Sequence, residues 1–318
     1  VPQPAIVPAV SAASVALAPA KINLALHVTG RRSDGYHDIE SLAVFTRFGD
    51  RIHLEPAAAH EFSITGPFGG DLAADDTNLV IRARDALRRA CLGRSGDGLR
   101  SSSHPSGFPP VSIRLEKNLP VASGVGGGSS DAAAVLKALN QMWNCGLGEH
   151  ELAEIARSLG ADVPMCLSAR PLLAKGIGDL VEPVADFPAL ALVLVNPGVA
   201  VSTPDVFEKL ERRDNENLPP LPSKVDFHSL RNWLETTHNH LEPAARSIQP
   251  VIGQALAALN KAGSGFSRMS GSGATCFGLF ETGNVAKRAA VSIRAKHPTW
   301  FVAATRSMAW EANDDGDA

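Results

Sequence analysis

Leu119-Pro120-Val121-Ala122-Ser123-Gly124-Val125-Gly126-Gly127-Gly128-Ser129-Ser130-Asp131 runs directly into an alanine-rich stretch with helical spacing. Four glycines in five positions are a costly way to build a connection, since each loses about 0.5–1 kcal/mol relative to Ala when ordered in regular structure. A close approach of the backbone to a ligand is the better reason. Without Cβ atoms in the way, successive N–H groups can converge on one anion, and the helix behind them adds about half a positive charge. The natural guest is phosphate. Three or four charge-assisted bonds of about 1.5–3 kcal/mol each can hold a nucleotide triphosphate without a dedicated lysine. The hydroxyls of Ser129 and Ser130 are available to phosphate or Mg2+. The loop lacks the Gly-Lys-Ser/Thr of a Walker loop, and Ser129 stands where the third Rossmann glycine belongs. Asp131 stands where a nucleophile elbow ends in glycine. A structural turn is the alternative.

Outward from this loop, the spacing predicts a helix over Asp131–Trp143 that buries Ala132, Leu136, Leu139 and Trp143 on one stripe. A helix over Glu151–Leu159 stops at Gly160, and Thr77 can cap another over Asn78–Cys91. Alternation over Ile22–Val28 predicts a half-buried strand with Lys21 and Asn23 on the face opposite Ile22 and Leu24. Further strands are expected at Ser41–Phe45, Arg51–Glu55, Glu61–Thr65, Val111–Leu115, Ala189–Val195, Ala274–Phe280 and Trp300–Thr305, with helices at Val251–Lys261 and Val285–Lys296. The irregular order of strands and helices favours an α+β fold over a doubly wound parallel sheet. Val1–Ala18 reads as a loose arm, Gly93–Pro110 as an exposed insertion, Arg212–Lys224 as a polar Pro-rich stretch and Glu311–Ala318 as an acidic tail.

With 318 residues, two domains are expected, over 1–170 and 171–318. Thirty Lys and Arg against 33 Asp and Glu leave no basic footprint for nucleic acid or an anionic membrane. The longest apolar run, Phe187–Val195, falls far short of the roughly 20 residues of a membrane span. Cys91, Cys145, Cys166 and Cys276 form no C-x-x-C pair, which argues against a zinc site or a disulfide framework and for a cytoplasmic protein.

Other residues carry candidate chemistry. A second cluster, Met269-Ser270-Gly271-Ser272-Gly273-Ala274-Thr275, is either a tight hairpin turn or a second loop closing on the phosphates from the opposite side. Asp162, in Leu159-Gly160-Ala161-Asp162-Val163-Pro164, is either a turn former or a buried functional carboxylate. Lys21 is by itself a strand-edge lysine, and Tyr36, the chain's one tyrosine, serves either packing or recognition. His238 and His240 lack a third ligand and read as a polar turn, and Arg82, Arg84, Arg88 and Arg89 as the solvated face of a helix.

Taken together, Pro19-Ala20-Lys21-Ile22-Asn23-Leu24, Asp34-Gly35-Tyr36-His37, Gly126–Asp131, Leu159–Pro164 and Ser270–Thr275 resemble, in order and spacing, the GHMP small-molecule kinases over nearly the whole chain. Within them the Lys21 and Tyr36 segments are similar to the branch that phosphorylates the 2-hydroxyl of a cytidine diphosphate-bearing methylerythritol in non-mevalonate isoprenoid synthesis. The resemblance implies an N-terminal domain like ribosomal S5 domain 2 and a ferredoxin-like C-terminal domain that completes the substrate cleft. It implies ATP against Pro120, Val121, Ala122, Ser123, Gly124, Val125, Gly126, Gly127, Gly128, Ser129 and Ser130, with Ser130 on Mg2+ and with Asn78 and Lys117 near the adenosine. Lys21 and Asp162 fall on the catalytic pair and Asn23 on a substrate contact. Tyr36 and Phe207 fall on the aromatics that sandwich cytosine, and His37 on the residue that bonds its edge. Gly271, Ser272 and Gly273 complete the implied substrate site, and a cytoplasmic monomer or weak homodimer is expected. Ala122 and Ser123 depart from positions often held by glycine, and His240 from one often held by Asp. From residues alone, a kinase for another alcohol such as mevalonate or homoserine, and a non-catalytic nucleotide-binding module, stay open.

An ordinary carboxylate, with a pKa near 3.9, cannot ionise an alcohol in the ground state. An Asp in this role therefore acts late, as the hydroxyl acidifies on bonding to phosphorus in a loose transition state.

Overall fold

A computed structural model of the chain describes residues 13–70, 72–94 and 108–310. The arm's first twelve residues, most of the insertion expected after Gly93 and the acidic tail lie outside the described residues.

The first sheet is built on two long antiparallel strands, β1 (Ser14–Arg31) and β2 (His37–Pro56). β2 also pairs along its second half with β4 (Val111–Glu116) and along its first half with β5 (Leu172–Lys175). β3 (Glu61–Thr65) runs parallel to β4, and β6 (Leu180–Pro183) closes the other side. The expected division at residue 170 is corrected by this pairing: β5 and β6 belong to the first sheet, which ends only at Pro183.

Ala43, Phe45, Ile52 and Leu54 of β2 pack against helices α1 (Leu79–Arg94), α2 (Gly127–Met142), α3 (Glu149–Leu159) and α4 (Val163–Ser168). Leu42 and Val44, on the opposite face, pack with Ile22 and Leu24 against the second sheet. Both faces are covered, so β2 reads as a continuous apolar run where it is most buried. The same burial corrects the half-buried reading of β1. Lys21 is 4% and Asn23 2% exposed, beside bulges between Pro19 and Lys21 and between Asn23 and Ala25 that re-aim the side chains. Ser14–Ala18 is strand paired to Asp50–Leu54, not arm.

The second sheet has the order β10-β7-β9-β8, all antiparallel, from β7 (Ala191–Asn196), β8 (Phe266–Met269), β9 (Cys276–Phe280) and β10 (Phe301–Arg306). Around it lie α5 (Thr203–Glu208), α6 (Phe227–Glu235), α7 (Glu242–Ile248), α8 (Val251–Lys261) and α9 (Gly283–Lys296). Leu256 and Leu259 of α8 and Ala290 and Ile293 of α9 share a core with Val193 and Cys276. A third core joins the two sheets through Ile22, Leu24, Leu192, Leu194, Trp233 and Phe277. The β1 edge thereby becomes the seam on which the cleft is built.

Candidate active site

The glycine loop is a helix entrance. α2 begins at Gly127, earlier than the expected Asp131, and its cap Gly126 takes φ 64°, a conformation that strains residues with a Cβ. The first amide in the helical ladder is that of Ser130, donating to Gly126 O at 2.8 Å, so those of Gly127, Gly128 and Ser129 precede the ladder and point out of the helix end. This is the anion-binding geometry expected of the loop.

The second glycine cluster closes on the first. Gly124 has φ 75°, and a Cβ on it would lie 2.3 Å from Ser270 O. Ser270 Oγ donates to Gly124 O (2.9 Å) and accepts from Asn23 N (3.1 Å), while Thr275 N donates to Ser123 O (3.0 Å). Of the three C-terminal residues expected at the substrate, Gly271 and Ser272 line the cleft, whereas Gly273 packs inward on Met269.

The helical phase corrects one metal ligand. Ser130 is 1% exposed and its hydroxyl donates to Pro19 O at 2.7 Å, so it faces β1 instead of the cleft. Ser129 lines the cleft in its place. Val125, 1% exposed, is likewise turned inward, and its carbonyl accepts from Lys21 N at 2.9 Å. Pro120, Val121, Ala122, Ser123, Gly124, Gly126, Gly127 and Gly128 do line the cleft.

Lys21 Nζ donates to Asp162 Oδ2 at 2.7 Å, with the lysine side chain 5% and the carboxylate 41% exposed. The lysine is the buried support and the carboxylate the accessible partner. Gly126 lies against the Lys21 stem, and a Cβ on Gly178 would lie 3.7 Å from Asp162 Oδ1 and 3.8 Å from Ile39 Cδ1, both of which line the cleft. The pair therefore sits between the glycine loop and the β2 end that carries His37. Asn23 Nδ2 donates to Ser41 Oγ at 2.7 Å, and its buried Oδ1 has no partner among the described residues, leaving an acceptor for a hydroxyl. Cys166, behind the pair, is no nucleophile: burial pushes its thiol up to about 12.

Lys117 and Asn78 line the same cleft but are more committed than the resemblance implied. Lys117 Nζ donates to Asp50 and, at 2.9 Å, to Asp131. Asp50 Oδ1 also takes the amides of Asn118 and Leu119 (2.5 and 2.8 Å). Burial lowers the Lys117 pKa, but Asp131 and Asp50 outweigh it and hold the ammonium above its ordinary range. Asp131 is pushed up to about 7, by burial and the charge of Asp50 against the opposing pull of Lys117. Asn78 Oδ1 accepts from Val80 N (3.0 Å), so Asn78 caps α1. Thr77, the expected cap, instead donates its hydroxyl to Asp75 (2.6 Å).

At the other side of the pair, Tyr36, His37 and Phe207 line the cleft. Tyr36 is 59% exposed, and the His37 ring lies on Phe207 with centroids 4.8 Å apart and planes at 24°. The expected sandwich of Tyr36 and Phe207 is thus not preformed, because His37 covers a face of Phe207. Burial, then the charges of Arg213 and Arg31, lower the His37 pKa, and its buried Nε2 has no partner among the described residues.

Sequence reasoning missed Asp50, Asp131, Asn239 and Glu242. Glu242 Oε2 accepts from Met269 N at 3.1 Å, beneath the second glycine loop. His240 Nδ1 accepts from Val28 N (3.0 Å) and its ring stacks on His27 at 4.4 Å, so it fastens β1 instead of holding a metal. Burial, helped by His27 and His238, takes its pKa down to about 4. Among the described residues no group of three or more His, Cys, Asp or Glu could hold a metal, and no helix is long and apolar enough to cross a membrane.

The cleft measures about 1380 Å³, above the roughly 300–1,000 Å³ of a one-ligand pocket and enough for two substrates.

Residues 78–170 match the family described as GHMP kinases N terminal domain, and 223–299 that described as GHMP kinases C terminal. The chain is 66% identical over 293 residues to the 4-diphosphocytidyl-2-C-methyl-D-erythritol kinase of Mesorhizobium japonicum, covering 92% of this chain and 95% of the relative. It is 49% identical to the enzyme of that name from Agrobacterium fabrum, covering 93% and 96%. A crystal structure of 4-(cytidine 5'-diphospho)-2C-methyl-D-erythritol kinase superimposes with a TM-score of 0.73 at 34% identity, over 93% of this chain and all of that one. Homoserine kinase from Cytophaga hutchinsonii, at 19% identity and a TM-score of 0.66 over 94% and 95% of the two chains, shares the fold.

Proposed function

The chain belongs to the 4-diphosphocytidyl-2-C-methyl-D-erythritol kinase family of GHMP kinases, and we propose that Lys21 and Asp162 carry its phosphoryl transfer. The reaction is the ATP-dependent phosphorylation of the substrate's 2-hydroxyl, giving the 2-phosphate and ADP in non-mevalonate isoprenoid precursor biosynthesis.

The supporting observation is the 2.7 Å contact between Lys21 and Asp162, lying between the amides of Gly127–Ser129 and the rings of His37 and Phe207. The amides hold the triphosphate, whose terminal group then faces an alcohol at Asp162. Asn23 Oδ1 accepts a substrate hydroxyl and fixes its direction. As the new P–O bond forms, Asp162 takes the hydroxyl proton on its exposed oxygen, a contribution of about 10²–10⁴ in rate. Lys21 keeps the carboxylate aimed and offsets negative charge gathering on the transferred group.

Magnesium fits this donor set as an ion carried on the nucleotide, with the Ser129 hydroxyl as the chain's own contribution, since Mg2+ commonly keeps phosphate and water ligands. When bound it supplies neutralisation of phosphate charge. His37 offers its free nitrogen to the edge of cytosine, Tyr36 and Phe207 offer ring faces, and Asn78 and Lys117 flank the adenosine. Gly271 and Ser272 border the alcohol. A cytoplasmic monomer or weak homodimer with small molecules as its partners, and neither nucleic acid nor membrane, fits the net charge of −3.

The test is ADP release with the cytidine diphospho-alcohol, with mevalonate and homoserine as controls. Release with the first alone is expected. Release only with a control alcohol, or with none, would overturn the assignment.

A further inference from the structure

Among the described residues, four Lys and Arg side chains line the cleft: Lys21, Lys117, Arg31 and Arg213. The lysines are committed, Lys21 to Asp162 and Lys117 to Asp50 and Asp131. Neither arginine is paired with a carboxylate among the described residues. Arg213 donates Nη2 to the backbone carbonyl of Glu208 at 3.0 Å and has a buried Nε with no partner among the described residues.

Each of these guanidiniums is carried beside a ring of the pyrimidine pocket. Arg31 is the register partner of His37 across β1 and β2, which puts the two side chains on one face of the sheet. Arg213 is tied to the last residue of α5, next to Phe207. Both charges act on His37, whose pKa they depress after the larger effect of burial. Glu208 also lines this side, but what it gives Arg213 is its backbone oxygen.

Resting on the function proposed above, we propose that Arg31 and Arg213 grip the diphosphate of the nucleoside-diphosphate substrate and so select it over alcohols that carry none. The diphosphate must lie between the base at His37 and the hydroxyl at Asp162. The glycine-loop amides are taken by the triphosphate, Lys21 by Asp162 and Lys117 by Asp50 and Asp131, so among the described residues of the cleft the cations left to meet it are the two arginines, which have no carboxylate partner. A planar guanidinium matches phosphate oxygens bidentately, which a lysine does not.

The experiment measures binding of CDP and of cytidine by calorimetry, to enzyme saturated with a non-hydrolysable ATP analogue so that CDP cannot occupy the triphosphate site. Arg213→Met, Arg31→Gln, the double variant and Arg213→Lys are compared with wild type, each checked by thermal melting. Each neutral single variant is expected to weaken CDP about tenfold and cytidine less than twofold, with Arg213→Lys recovering part of the loss. CDP affinity should also fall with added salt, less steeply in the double variant. Equal losses for CDP and cytidine would overturn the proposal, since the arginines would then act through the rings, and so would unchanged CDP affinity. Failure of the wild type to phosphorylate the cytidine diphospho-alcohol would instead remove the underlying function. Turnover by the wild type with CDP-indifferent variants removes only the arginines.

Discussion

Asn239 reaches across 32 residues to Gly271: its Nδ2 donates to Gly271 O and to Met269 O, each at 2.8 Å, while its Oδ1 accepts from Leu241 N. A residue 4% exposed thereby holds both sides of the turn that closes on Gly124. Asn239→Ala strands two carbonyls in a buried setting, at a cost of about 1–3 kcal/mol. Urea unfolding is expected to report that loss, together with a raised KM for the alcohol. Equal stability of variant and wild type would show that the turn holds itself.

Asp162→Asn keeps the shape of the side chain and removes its capacity to take a proton. Turnover is expected to fall by about 10²–10⁴, while nucleotide affinity, set by the glycine-loop amides, stays within about twofold. Steady-state rates and nucleotide titration separate the two. A variant that turns over normally would leave Asp162 as nothing more than a partner for Lys21.

Ala122 sits at φ 48°, in the left-handed region, where an L residue is strained by about 1–2 kcal/mol. It is 122's neighbours, not its own side chain, that hold the turn: Ser123 Oγ bonds Pro120 O at 2.6 Å and Ser123 O takes the Thr275 amide. Ala122→Gly removes the strain and adds back some unfolded-chain entropy, for an expected net gain of about 0.5–1 kcal/mol in urea. A destabilised variant would show that the exposed methyl packs on something of value.

Much of the cleft was legible in the sequence, and the gaps have physical causes. The loop at Gly124–Gly128 announced itself because Gly124 and Gly126 need positive φ. Lys21 and Asp162, 141 residues apart, could be paired only by resemblance, since no local pattern joins a strand to a residue just past a helix. The choice between Ser129 and Ser130 depended on where α2 starts, because each residue turns the side chain by about 100°. Starting the helix at Gly127 instead of Asp131 moved Ser130 onto β1. Asp50 lies inside β2 with no motif around it, and its role became visible only when Lys117 and Asp131 were brought against it. Six short elements, β5, β6, β8, α4, α5 and α7, carried too few residues to show a period.

The buried trio of Asp50, Lys117 and Asp131 has two carboxylates for one ammonium, and the excess charge gives the fold a pH dependence. Asp131 has its pKa raised, to about 7, whereas an unfolded aspartate titrates near 3.9. The folded state therefore favours the protonated acid. The stability this gives is complete below about pH 3.9 and is lost as pH rises towards and through about 7. Asp131→Asn fixes the neutral form and leaves an oxygen to accept from Lys117. Between pH 6 and 8 the wild type is expected to lose about 1 kcal/mol or more relative to this variant, read as a widening gap in urea midpoints at constant slope. Parallel pH profiles would mean that Asp131 stays ionised throughout, with Lys117 balancing both carboxylates.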